Sequence, residues 1–253
     1  MSHVKVVNEK RVVTLFMNRP ERKNALTQAM YQAMANAIND ASENMDVKVI
    51  VIATEHGFFT AGNDLEDFMQ SPVINESAGV YQFLLSLINC KLPLLAAVEG
   101  PAIGIGTTML LHCERVFADE TALFALPFIN LGLVAEAASS LLLPKCAGYA
   151  AAADLLLTGD QFDLSTALQS GIVSETTVKG QTLAAAHAYA QKLVTKPRDC
   201  LVDIKALLRR PEEPLLTRTD TEIALFAEKL QGPAVKEAVA AFFDKRAPDF
   251  TEL

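Results

Sequence analysis

Leu92-Pro93-Leu94-Leu95-Ala96-Ala97-Val98-Glu99-Gly100-Pro101-Ala102-Ile103-Gly104-Ile105-Gly106 is an apolar run that ends in a cluster of glycines. Residues 94–98 carry no polar side chain, the pattern of a strand buried on both faces. Past the glycines, residues 107–112 continue as an apolar helix. A second buried-strand pattern, residues 48–53, stands upstream, with a helical pattern at about residues 80–89 between the two. Strand, helix and strand in that order predict a parallel sheet with right-handed crossovers, an α/β class.

Outward from this centre, residues 4–17 read as two β-branched runs around Asn8-Glu9-Lys10, a hairpin with a three-residue turn. Met30, Met34, Ala37, Ile38 and Ala41 recur at helical spacing behind a Thr27 cap, predicting a helix over residues 28–43. Short strands are expected at residues 115–118 and 123–125, and helices at 137–143 and 149–157. Beyond Ile172-Val173 the pattern is helical throughout: 182–194, 198–208, 216–230 and 234–243, with Pro197, Pro211, Pro214 and Pro233 between them. The division expected is an α/β core over residues 1–195 and a helical region over 196–253.

The chain's 253 residues, 51% of them hydrophobic, suffice for a large core. Thirty acidic against 22 basic residues leave a net charge of -8, which repels polyanions, so nucleic acid is not an expected partner. The apolar runs stop short of the roughly 18 to 20 residues of a membrane span. Cys90, Cys113, Cys146 and Cys200 have no metal-knuckle or CxxC spacing, which suggests free thiols in a reducing compartment. The four histidines, at positions 3, 56, 112 and 187, form no metal-binding pair, so no metal is expected. The opening residues lack signal-peptide character, the closing Phe250-Thr251-Glu252-Leu253 is not a peroxisomal address, and a cytoplasmic location is expected.

Three stretches are candidates for chemistry. Phe58-Phe59-Thr60-Ala61-Gly62-Asn63-Asp64-Leu65 follows the strand at residues 48–53 and leads into a short helical pattern; alone it reads equally as a turn capped by Asp64. The turn at residues 100–106 lacks the third glycine of a dinucleotide fingerprint, Met109 standing there, and the Gly-Lys-Ser/Thr of a phosphate loop. Two such turns at the ends of neighbouring strands can aim two amide donors at one point, the geometry of an oxyanion hole. In the third stretch, residues 127–140, Glu136 is the one charge between Glu120 and Lys145. It is either a desolvated acid with a raised pKa or a first-turn helix residue facing water. Ser139 and Ser140 lack the Gly-x-Ser-x-Gly elbow of a serine hydrolase.

The ordered set of motifs resembles the crotonase superfamily, the enoyl-CoA hydratases and isomerases, over nearly the whole chain. It comprises Asn18-Arg19-Pro20 with Asn24-Ala25-Leu26, the stretches 59–65 and 92–106, Leu131-Gly132-Leu133, Leu157-Thr158-Gly159, Ala167 with Gly171-Ile172-Val173, and Phe243-Asp244-Lys245-Arg246. The resemblance implies a ClpP-like spiral of ββα units with C-terminal helices that build a homotrimer or dimer of trimers. It implies an acyl-CoA thioester as substrate, with no separate cofactor, and the main-chain amides of Asn63 and Ile105 as oxyanion donors. Ala61, Gly62, Asp64, Leu65 and Phe128 would contact substrate, with Phe59, Phe68 and Ile129 further candidates for the acyl pocket. Arg22, Lys23 and Lys245 would meet the CoA phosphates.

Hydratases of this superfamily carry glutamates where this chain has Thr108 and Phe128. Glu136 matches instead the single acid of peroxisomal-type Δ3,Δ2-enoyl-CoA isomerases. The implied activity is transfer of the double bond of a 3-enoyl-CoA to trans-2-enoyl-CoA, as in fatty acid β-oxidation. The alternatives are other crotonase chemistry (hydratase, hydrolase, dehalogenase or dienoyl isomerase) and a non-catalytic acyl-CoA-binding module.

Overall fold

The computed structural model describes residues 3–70, 75–210, 217–218, 221, 223–224, 228 and 232–251. The chain divides into two compact units, Met1–Ala190 and Gln191–Leu253. In the first, β1 (Val4–Glu9) and β2 (Val12–Met17) form an antiparallel hairpin, followed by α1 (Gln28–Glu43), β3 (Val49–Thr54), α2 (Leu65–Gln70) and α3 (Gly79–Asn89). Next come β4 (Leu94–Val98), β5 (Pro101–Ile103), α4 (Ile105–Thr108), β6 (Arg115–Asp119) and β7 (Leu123–Ala125). Then follow α5 (Ser139–Ala147), α6 (Tyr149–Thr158), β8 (Gln161–Asp163), α7 (Leu164–Gln169), β9 (Glu175–Thr177) and α8 (Thr182–Val194), which runs into the second unit. There, α9 (Arg198–Leu208) and α10 (Pro233–Asp244) are described. The helix expected over residues 216–230 lies largely outside the described residues.

The large sheet has the order β1-β2-β3-β4-β6-β9 and is parallel from β2 onward; the small one has the order β5-β7-β8. The chain spirals between them. From β4 it passes into β5 and then α4; from β6 it passes into β7; from β3 it reaches Thr60, which bridges to Ala102 of β5 in parallel, and then α2. Every residue of β2, β3 and β4 is buried, as expected for strands covered on both faces. This is the α/β architecture with a parallel sheet that the sequence predicts.

Two local expectations need correction. The hairpin pairs Glu9 with Val12, so Asn8 and Glu9 belong to β1 and the turn is Lys10-Arg11 alone. Both turn residues have positive φ, 50° and 65°, because a two-residue turn of that hand matches the strand twist. The helix expected from residue 137 begins at Ser139, since Ala137 and Ala138 adopt left-handed conformations at φ 53° and 55°.

Candidate active site

The site is assembled on Asn24, a fully buried carboxamide in the left-handed region at φ 53°. Its Nδ2 donates to Thr54 Oγ1 at 3.0 Å and to the Phe58 carbonyl at 2.8 Å, while its Oδ1 accepts from the Arg19 amide at 2.7 Å. Its own carbonyl accepts from Thr60 Oγ1 at 2.6 Å. One side chain thus ties the end of β3, the loop after it and the Asn18-Arg19-Pro20 segment into one body. Removing a buried hub of this kind strands several polar groups without partners.

Thr60 then docks this loop on β5. Its amide donates to the Pro101 carbonyl at 3.0 Å, and the Ile103 amide donates to the Thr60 carbonyl at 2.9 Å. The contact is close enough to demand glycine on both sides. A Cβ on Gly106 would lie 2.5 Å from Thr60 Cγ2, and one on Gly62, at φ +89°, would lie 2.9 Å from the Ile103 carbonyl oxygen.

This docking leaves two amides facing the cleft between the loops. The Gly62 carbonyl accepts from the Leu26 amide at 2.8 Å and the Asp64 amide donates to the Leu26 carbonyl at 2.9 Å, a parallel bridge that turns the Asn63 N–H to the opposite side. Ile105 opens α4, where a first-turn amide has no intrahelical partner. Among the described residues neither amide donates to a carbonyl. Ile105 as a whole residue is 1% exposed, and it borders the cleft. The cleft, about 400 Å³, is lined by Ala61, Gly62, Asn63, Asp64, Leu65, Phe68, Ile105 and Phe128, among others.

Glu136 lies outside the residues that border this cleft and is tied to it through Thr108, three positions along α4 from Ile105. Thr108 Oγ1 donates to Glu136 Oε1 at 2.8 Å. Burial pushes the Glu136 pKa above the ordinary carboxylate value, with the Thr108 hydrogen bond opposing. The Glu136 carbonyl accepts from the Ser139 amide at 2.9 Å and from Ser139 Oγ at 2.6 Å, and the buried His112 ring bonds the Ala137 carbonyl at 2.8 Å. These contacts hold the left-handed pair Ala137-Ala138 and turn the Glu136 side chain inward. Of the two readings open in the sequence, the first-turn helix residue facing water does not fit: Glu136 precedes α5, and its partly buried carboxylate meets Thr108.

Asp64 forms an ion pair with Arg19 at 2.6 Å and accepts from the Glu66 and Asp67 amides at 3.1 and 3.2 Å. Arg19 and these amides hold its pKa below the ordinary value. Its carboxylate is therefore committed to the loop and the start of α2. Arg22 borders the cleft and meets Glu66 at 3.2 Å; Lys23 Nζ lies 5.6 Å from the Phe58 ring centre. Lys245 belongs to the second unit. Leu65, Phe68 and Phe128 are on the cleft wall, whereas Phe59 is fully buried in the core. No group of three metal-ligating side chains occurs among the described residues.

One residue at the site carried no sequence signal. Tyr31, on the buried face of α1, donates its hydroxyl to Asn63 Oδ1. Its helical spacing marks it only as core.

The fold and these two loops are those of a known family. A family model described as enoyl-CoA hydratase/isomerase matches residues 8–253, and the chain belongs to that family, within the crotonase superfamily. It is 32% identical to the 2,3-dehydroadipyl-CoA hydratase of Escherichia coli (strain K12), over 99% of both chains. It is 33% identical to enoyl-CoA delta isomerase 2 of Rattus norvegicus, over 86% of this chain and 57% of that one. A solved structure from Pseudoalteromonas atlantica T6c, an enoyl-CoA hydratase/isomerase, superposes with a TM-score of 0.79 at 37% identity, over 98% of this chain and 100% of that chain.

Proposed function

We propose that, within the acyl-CoA hydratase/isomerase chemistry of its family, this protein is a Δ3,Δ2-enoyl-CoA isomerase that uses Glu136 as its single acid-base group. The observation that carries this reading is a half-buried carboxylate with a raised pKa, bonded to Thr108 one turn beyond the unengaged Ile105 amide. Both positions where the superfamily's hydratases carry glutamates are without a carboxylate here, being Thr108 and Phe128. With the cleft carboxylates Asp64 and Glu66 paired to Arg19 and Arg22, a site left with the one carboxylate of Glu136 suits a reaction that removes and returns a proton.

The 3-enoyl thioester binds with its carbonyl oxygen at the Asn63 and Ile105 amides. Glu136 takes a proton from C2, and the electron pair of that C–H bond moves onto the thioester oxygen as a dienolate. Each amide donor stabilises this charge by about 3 kcal/mol. The dienolate collapses to a C2–C3 double bond as the Glu136 carboxylic acid returns its proton to C4. The product is trans-2-enoyl-CoA, and no proton is gained or lost overall. A base with a raised pKa fits this shuttle, because it both holds and releases a proton near neutral pH. Leu65, Phe68 and Phe128 line the acyl path. Arg22 and Lys23 meet the CoA phosphates, with Lys245 supplied by a neighbouring subunit of a trimer.

The test follows conjugation of trans-3-hexenoyl-CoA spectrophotometrically, for wild type and Glu136→Gln, with crotonyl-CoA hydration measured in parallel. Turnover of the 3-enoyl substrate that is lost in Glu136→Gln while CoA affinity is kept supports the assignment. Hydration without isomerisation, or full isomerase rate in Glu136→Gln, overturns it.

A further inference from the structure

Tyr31 is 1% exposed, and its ring packs on Phe83 of α3 with centroids 5.5 Å apart. A phenol this deeply buried needs a partner for its hydroxyl, and Asn63 Oδ1 is the partner that α1 places there. Burial and the negative charge of Glu136 push the Tyr31 pKa well above the usual tyrosine value, so the hydroxyl stays a donor. Asn63 is the residue whose main-chain amide faces the cleft. On its N-terminal side stands Gly62 at φ +89°, the most permissive kind of backbone joint. The peptides around Asn63 are held by Leu26 on one side. The side chain is held from α1 by Tyr31.

We infer that Tyr31 is a positioning residue: by holding the Asn63 carboxamide it adds to the Leu26 bridge in keeping the Asn63 main-chain N–H aimed at the thioester oxygen. This deepens the isomerase reading and rests on the same pair of amides. Donors must be aimed before charge develops, because a donor that has to reorient returns part of its gain as reorganisation. Loss of the hydroxyl therefore lowers the chemical step and leaves ground-state binding nearly unchanged.

The experiment compares wild type, Tyr31→Phe, Asn63→Ala and the double variant. Tyr31→Phe keeps the ring against Phe83, and equal thermal unfolding checks that the fold is retained. The expected result is a fall in kcat of roughly ten- to a hundredfold with KM changed less than about twofold. The double variant should be no slower than the slower single one, because both remove one linkage. A readout that needs no turnover accompanies it: the infrared carbonyl stretch of bound butyryl-CoA labelled at the thioester. That band should move to lower frequency on binding to wild type and move less in Tyr31→Phe. An unchanged band shift with unchanged kcat, or losses that multiply in the double variant, overturns the inference. If wild type fails to isomerise but its carbonyl shift still depends on Tyr31, the isomerase reading falls and the positioning role stands.

Discussion

Asp64, on the first donor loop, and Glu136, on the stretch before α5 and bonded to Thr108 of α4, are both carboxylates close to the cleft, and their surroundings give them opposite characters. Asp64 meets a guanidinium at 2.6 Å and two amides at the start of α2, so its charge is compensated and its pKa is lowered. Glu136 has burial and one hydroxyl, so its charge costs free energy and its pKa is raised. A carboxylate with all its valences satisfied builds structure. One left desolvated, with a single hydroxyl as partner, is available to move a proton.

The contrast is sharpest under substitution. Glu136→Gln should lower kcat by about 10² to 10⁴, read as the rate of 3-enoyl-CoA conjugation. Asp64 should not behave this way: Arg19→Met, which strips its partner, should cost roughly 3 kcal/mol of stability by chemical denaturation, and lose activity only through the loop. If Arg19→Met leaves stability unchanged, the structural role assigned to Asp64 is wrong.

Three smaller effects separate the acids by pH. Thr108 stabilises the charged form of Glu136, so Thr108→Val should raise that pKa further and move the acid limb of kcat/KM to higher pH. A limb that stays in place would detach Thr108 from the base. The smallest effect is on stability. Because the folded pKa of Glu136 lies above its unfolded value, the folded state binds more protons between the two, and stability falls as pH rises through that window. Glu136→Gln should then stabilise the protein at neutral pH by about 0.5 to 2 kcal/mol, a gain that shrinks on acidification. For Asp64 the folded pKa is lower, so its contribution is present at neutral pH and is lost as pH falls through the folded value. Asp64→Asn should flatten that acid decline in melting temperature.

Much of the framework is legible as local pattern. Helices at Gln28–Glu43, Thr182–Val194 and Arg198–Leu208 and strands at Leu94–Val98 and Leu123–Ala125 carry periodicities that coincide with their observed bounds. The three-residue β8 and β9 do not, because Gln161, Asp163 and the polar Glu175-Thr176-Thr177 have too few apolar positions to show a period. Pro101-Ala102-Ile103 reads as part of a glycine turn but forms β5, a strand owed to pairing with β7 and Thr60. The glycines at 62 and 106 were visible as permissive positions; that each is required by the other loop was not.

The site divides in the same way. Composition and order of motifs in the chain determined the α/β class, the two glycine-bearing loops after buried strands and the isolation of Glu136 in an apolar run. Tertiary structure decided that Glu136 turns inward onto Thr108, that Asp64 is spent on Arg19, and that Tyr31 reaches Asn63. The reason is the range of the forces involved. Helix and strand periods are set by neighbours a few residues away, whereas these hydrogen bonds join groups 28, 45 and 32 positions apart, whose meeting depends on how the spiral closes.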